Sequence, residues 1–399
     1  MKYLVVIANG LTDRPIAEKD NKTPLQLADT PNLDWMVREG RSGSVQTIPE
    51  KLHAGNDVSY LSLLGYDPEQ HYGAPAFFEA QAMDISPGTG EIPLCCDFVT
   101  LQSSHNDMVM KDFTAGHLSC EESMELLQAL QTQIVDYAVT FHPGLGYHNL
   151  MVMESEPFSE RLTPPNELVG EGIRQFMPGG NQFKELVHIM NQAQVILHNH
   201  SINRRRQQEG LDPVNSIWLW GNGRSTTLPS FEDSFSRTGS VVTASLLLKG
   251  IARAAGMNTV SVEGATGFAE TNYQGKVEAA LSELELRDVV YLNVAGAEEV
   301  SLKGNIDDKI LVIEDIDTNV VGPLLQKLDS KNNVKMMVVV SHTSSAVAVK
   351  YEKEPVPFVI HPSTSTNPDA DQFDENLLHL GKDHFKTGPE LMNTFFELN

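Results

Sequence analysis

The chain has 399 residues, 21% of them charged and 41% hydrophobic, with 29 Lys and Arg against 53 Asp and Glu for a formal charge of -24. That length suits about two domains with a sizeable buried core, and no stretch approaches the roughly 20 apolar residues of a membrane span. The acidic balance repels nucleic acid and anionic lipid, so neither nucleic acid nor membrane is expected as a partner, and a small anionic substrate would need a local basic pocket.

The first element is Tyr3-Leu4-Val5-Val6-Ile7, a continuous apolar run ending in Asn9-Gly10, as a buried parallel strand does where it meets a loop. Met1 to Asn9 has no basic region or cleavage site of a secretion signal, so a cytoplasmic chain is expected. Gly55-Asn56-Asp57-Val58 opens a helix, with Asn56 read as its N-cap. Leu94 to Leu101 and Asn149 to Met153 read as strands, and Glu121 to Gln133 and Asn181 to His198 as helices. Cys95, Cys96 and Cys120 read as reduced structural thiols rather than a disulfide framework or a zinc site. Arg204, Arg205 and Arg206, followed by Arg224, are the concentrated cationic stretch, either a pocket for an anion or a solvated helix face. Further strands fall at Thr259 to Val262, Val289 to Val294 and Met336 to Val340, separated by helical stretches such as Tyr273 to Leu284. That alternation predicts an α/β fold with a doubly wound core from residues 1–80 and 216–399, interrupted by an inserted α+β domain at 81–215.

Several strings resemble one family: Lys22-Thr23-Pro24-Leu25, Thr30-Pro31-Asn32-Leu33-Asp34, Leu61 to Pro68, Met110 to His117, Ile217 to Arg224, Leu247-Leu248-Lys249-Gly250, Gly264-Ala265-Thr266-Gly267 and Pro355-Val356-Pro357-Phe358. In order and from end to end, they are similar to the archaeal-type, cofactor-independent phosphoglycerate mutases. The resemblance implies an alkaline-phosphatase-like core, a substrate-covering insert and descent from enzymes that move a phosphoryl group between the two hydroxyls of a phosphoglycerate. It also implies a serine nucleophile and two divalent ions, manganese, magnesium or zinc.

Mapped through those strings, the nucleophile falls on Asn56 and the first metal-binding aspartate on Asn9. The remaining ligands fall on Glu298, Leu302, Ser341, His342 and Tyr351. Two substrate-binding arginines fall on Pro75 and His148, while His117, Arg204 and Arg224 remain as candidate anion-binding residues. Ser59, one turn beyond Asn56, is the residue closest in position to replace the missing hydroxyl. Neutral amides are poor substitutes for a carboxylate and an ionised hydroxyl, so the resemblance points to a catalytically inactive homologue that binds a protein or a small anion, with no metal or other cofactor. One alternative is an enzyme acting on a phosphate or phosphonate compound without a two-metal centre, with Asp57, Glu298, His342 and Tyr351 as reacting groups. The other is a metal-dependent mutase.

Overall fold

The computed structural model describes residues 1–104, 107–158, 160–328, 333–363 and 369–398. The chain divides into two compact units, Met1–Tyr72 with Thr227–Asn399, and Gly73–Thr226. The expected insert, 81–215, lies inside the second.

The first unit is built on an eight-stranded sheet in the order Asp383–Phe385, Arg41–Val45, Val356–His361, Val334–Val340, Lys2–Ala8, Val289–Val294, Gly239–Val242, Asn258–Val260. The last five of these run parallel, whereas Val356–His361 is antiparallel to Val334–Val340 and Arg41–Val45 antiparallel to Val356–His361. Every residue from Tyr3 to Ala8, Val289 to Val294 and Val334 to Val340 is buried. A strand with no solvent face has no reason to alternate, which is why these segments are near-continuous apolar runs. Each large aliphatic side chain removed from water there contributes roughly 1.5–3 kcal/mol. Helix Tyr273–Leu286 packs on Val289–Val294, completing the mixed α/β architecture expected from the sequence.

The second unit has a five-stranded antiparallel sheet organised around Glu91–Ser104. The first half of that strand pairs with His148–Glu154 on one side and Ser216–Trp220 on the other, and its second half with Asp107–Asp112. Because side chains alternate across a strand, Leu94, Cys96 and Phe98 join a core with Leu126, Leu186 and Ile189 from helices Cys120–Gln133 and Lys184–Asn199. Cys95 points the other way, packing with Ala76 and Ala80 of helix Pro75–Ala82. The adjacent cysteines therefore serve opposite faces, and all three thiols are free. Among the described residues no helix is long and apolar enough to cross a membrane.

Candidate active site

Asn9 follows strand Lys2–Ala8, Glu298 lies on helix Gly296–Leu302 just beyond Val289–Val294, and Ser341 and His342 follow Val334–Val340. The three strands are neighbours, and Ala8 is level with both Val294 and Val340. Their loops thus leave the sheet together at its carboxyl end, where open α/β sheets place their ligands. Gly10 has φ +76°, and a Cβ there would lie 2.4 Å from the backbone nitrogen of Glu298. Only glycine lets the first loop touch the helix that carries Glu298.

Glu298 is the centre of the arrangement. Asn9 Nδ2 donates to its Oε2 and Asn56 Nδ2 to its Oε1, each at 2.7 Å, and the Tyr351 hydroxyl donates to Oε1 at 2.5 Å. Asn9 Nδ2 also lies 2.7 Å from the Tyr60 hydroxyl and 3.0 Å from Asn56 Oδ1, while Asn293 Nδ2 donates to Asn9 Oδ1 at 3.0 Å. Burial, with the charge of Glu298 beside it, raises the Tyr60 phenol far above its usual range and keeps it neutral. Tyr351 reaches the site because its strand, Lys350–Glu352, folds back on Thr343–Ser345 directly after His342.

His342 is 1% exposed. Its Nδ1 lies 2.9 Å from Ser341 Oγ, and its Nε2 has no partner among the described residues. Burial lowers the pKa of His342 against the opposing pull of Glu298 and Asp57, so the ring is neutral at pH 7 with Nε2 uncommitted. Asp57 is held by His53 Nε2 at 2.8 Å and by the Tyr72 hydroxyl at 2.7 Å, a cluster the sequence reading missed except for Asp57 itself.

The N-cap reading of Asn56 is corrected. Gly55 occupies the cap position of helix Asn56–Leu63, and the Asn56 side chain, whose oxygen a cap would offer to a backbone N–H, instead donates to the carboxylate of Glu298 and accepts from Asn9. Ser59 is fully buried with its hydroxyl 3.5 Å from the Asn56 carbonyl, and Leu302 is a buried apolar residue.

Two ions bridged by a site need several hard or imidazole donors each. Glu298, Asp57, His53 and His342 are the donors of that kind here, His53 Nε2 being taken up by Asp57, while Asn9, Asn56, Ser341 and Tyr351 are neutral. Both oxygens of Glu298 already accept from amides and a phenol. This donor set does not fit a pair of metal ions.

In the second unit, His148 sits between two carboxylates, its Nδ1 2.5 Å from Asp97 and its Nε2 2.9 Å from Glu79. Burial works against the charged ring, but Glu79 and Asp97 by charge and hydrogen bond hold its pKa well above the usual range. Arg205 and Arg206 both pair with Glu122, and Arg206, buried, also donates to the Ala115 and Asp212 carbonyls. Arg204 donates to the Asn199 carbonyl at the end of the preceding helix. Arg224 and His117 are exposed, and His117 stands in the left-handed region at φ 52°.

The family model of 2,3-bisphosphoglycerate-independent phosphoglycerate mutase matches residues 37–203. A probable 2,3-bisphosphoglycerate-independent phosphoglycerate mutase of Geobacter sulfurreducens is 39% identical over 94% of each chain. The enzyme of that name from Methanosarcina barkeri is 35% identical over 96% of each. The chain belongs to this family. Among solved structures, the PH0037 protein of Pyrococcus horikoshii superposes with a TM-score of 0.76 at 25% identity, covering 98% of this chain and 96% of that one. The cofactor-independent phosphoglycerate mutase of Thermoplasma acidophilum gives 0.56 at 26%, covering 99% and 98%.

These relatives overturn the reading of the chain as a catalytically inactive binding subunit, since proteins alike along nearly its whole length are named as mutases. The expectation of no metal was tied to that reading and is corrected with it. The structure also brings together Glu79, Cys95 and His148, whose ligand atoms all lie within 4.8 Å of one another. Sequence could not reveal that group, because its members come from three elements with no shared spacing or period.

Proposed function

We propose that this chain catalyses the phosphoglycerate mutase reaction, moving a phosphoryl group between the two hydroxyls of a phosphoglycerate. The observation that carries the reading is the end-to-end likeness to the mutases named above. A site at the carboxyl ends of three adjacent parallel strands supports it. In this reading the start of helix Asn56–Leu63 offers its positive end to the phosphate, and Glu298 takes the proton of the attacking substrate hydroxyl. Asn56 carries no hydroxyl, so the group available to hold the phosphoryl in transit is the uncommitted Nε2 of His342, imidazole being an established nucleophile. The bond from phosphorus to the first substrate oxygen breaks as the bond to Nε2 forms, and that oxygen leaves with a proton taken from solvent. The second substrate oxygen then displaces Nε2 as Glu298 takes its proton, which Glu298 afterwards returns to solvent.

The test is conversion of 3-phosphoglycerate to 2-phosphoglycerate by the purified chain, run metal-free and with added manganese. The alkali-quenched protein is then examined for phosphohistidine. Turnover that is lost in Glu298→Gln and His342→Asn is expected, and no turnover under any condition would refute the proposal. The amide at position 56 favours one second reading, an enzyme of altered phosphate or phosphonate chemistry. Turnover of other phosphomonoesters without 3-phosphoglycerate would establish that one instead.

A further inference from the structure

Glu79, Cys95 and His148 come from helix Pro75–Ala82, strand Glu91–Ser104 and strand His148–Glu154. Glu79 Oε2 lies 3.2 Å from Cys95 Sγ and 2.9 Å from His148 Nε2. Asp97, directly across the strand pair from His148, holds the other ring nitrogen, and its second oxygen accepts from Trp220 Nε1 at 2.8 Å. Glu79 and Cys95 are buried, whereas the His148 side chain keeps 19% of its surface exposed.

We propose that this cluster is a site for a borderline divalent transition metal of the zinc class, bound by Glu79 Oε2, Cys95 Sγ and His148 Nε2. A fourth position on the exposed side of the imidazole is left for water. Four-coordinate zinc takes sulfur at about 2.3 Å and nitrogen or oxygen at about 2.0–2.2 Å, which sets tetrahedral edges of roughly 3.3–3.7 Å. The two separations from Glu79 fall short of these edges by well under an ångström, a gap that side-chain rotation can open, and the separation of Cys95 Sγ from His148 Nε2 is within 4.8 Å. Magnesium and calcium are disfavoured, since they require six or more oxygen donors and this cluster offers an imidazole and a thiol. Asp97 is a positioning residue, the carboxylate that fixes the ring of a metal-binding histidine from its far side.

The full-length metal-free chain titrated with Co²⁺ tests this inference independently of the proposed mutase activity. One equivalent should develop a thiolate-to-cobalt charge-transfer band in the near ultraviolet and be displaced by Zn²⁺. Cys95→Ser should abolish the band. Glu79→Gln and His148→Gln should each weaken binding by at least about tenfold, and Asp97→Asn should keep the band at about 10–100-fold lower affinity, as loss of an orienting partner does. Glu298→Gln should leave the band intact. An absent band in the unaltered chain overturns the site whatever the variants do, as does a band that survives Cys95→Ser or disappears with Glu298→Gln.

Discussion

At Glu298, two carboxylate oxygens receive three neutral donors from Asn9, Asn56 and Tyr351. Glu298→Gln replaces one acceptor oxygen by a donor that faces donors, and an unsatisfied buried polar group costs about 1–3 kcal/mol. A loss of that size in urea unfolding is expected, and an unchanged midpoint would show that the three bonds contribute nothing. Glu375 accepts from the backbone N–H of Asp13 and the Thr23 hydroxyl, yet burial pushes its pKa up to about 7. A carboxyl raised in the folded state binds its proton more tightly there than in the unfolded chain. Its contribution is therefore full below its unfolded value and is lost as pH rises towards 7. Measured against Glu375→Gln, the unaltered chain should lose relative stability between about pH 4.5 and 7. A difference independent of pH would remove burial as the controlling influence.

Among elements, the close approach of the first loop to the helix bearing Glu298 depends on Gly10. Gly10→Ala would place Cβ against the backbone of Glu298 and Ala297, so a loss of about 2 kcal/mol or more is expected. Gly264→Ala isolates the cause, because Gly264 also has positive φ but a Cβ there meets nothing nearer than 3.7 Å. It should lose only the conformational share, about 1 kcal/mol, and equal losses at both positions would exclude the contact. The central strands were legible because burial on both faces leaves an unbroken apolar run, and the helix around Tyr273 because its apolar side recurs. The strand Arg41–Val45 was not legible. Arg-Ser-Gly-Ser-Val carries little apolar signal, and its burial comes from neighbours distant in sequence, with Gly43 pressed against the Asp383 carbonyl. In the same way the positions of Asn9, Asn56, Glu298 and Tyr351 were readable through flanking strings, whereas their convergence on one carboxylate required three strand ends to meet.

At the scale of the whole molecule, residues 73–226 carry their own sheet and their own apolar core. Expressed alone they should fold with one cooperative transition and the circular dichroism of a mixed α/β unit, and a coil spectrum would show that the core is not self-sufficient. The two ends of this unit are neighbours: the backbone N–H of Ala74 donates to the Arg224 carbonyl at 3.0 Å, and Gly73 lies against Thr226. That adjacency bears on the order of assembly. If the insert is still unfolded, joining the two parts of the flanking sheet closes a loop of about 150 residues, but once it has folded the same closure spans only a few, a difference of about 3 kcal/mol in chain entropy. Early folding of the insert would thus convert a long-range association into a local one. Mutations that weaken only the insert should slow formation of the parallel sheet whose strands they never touch.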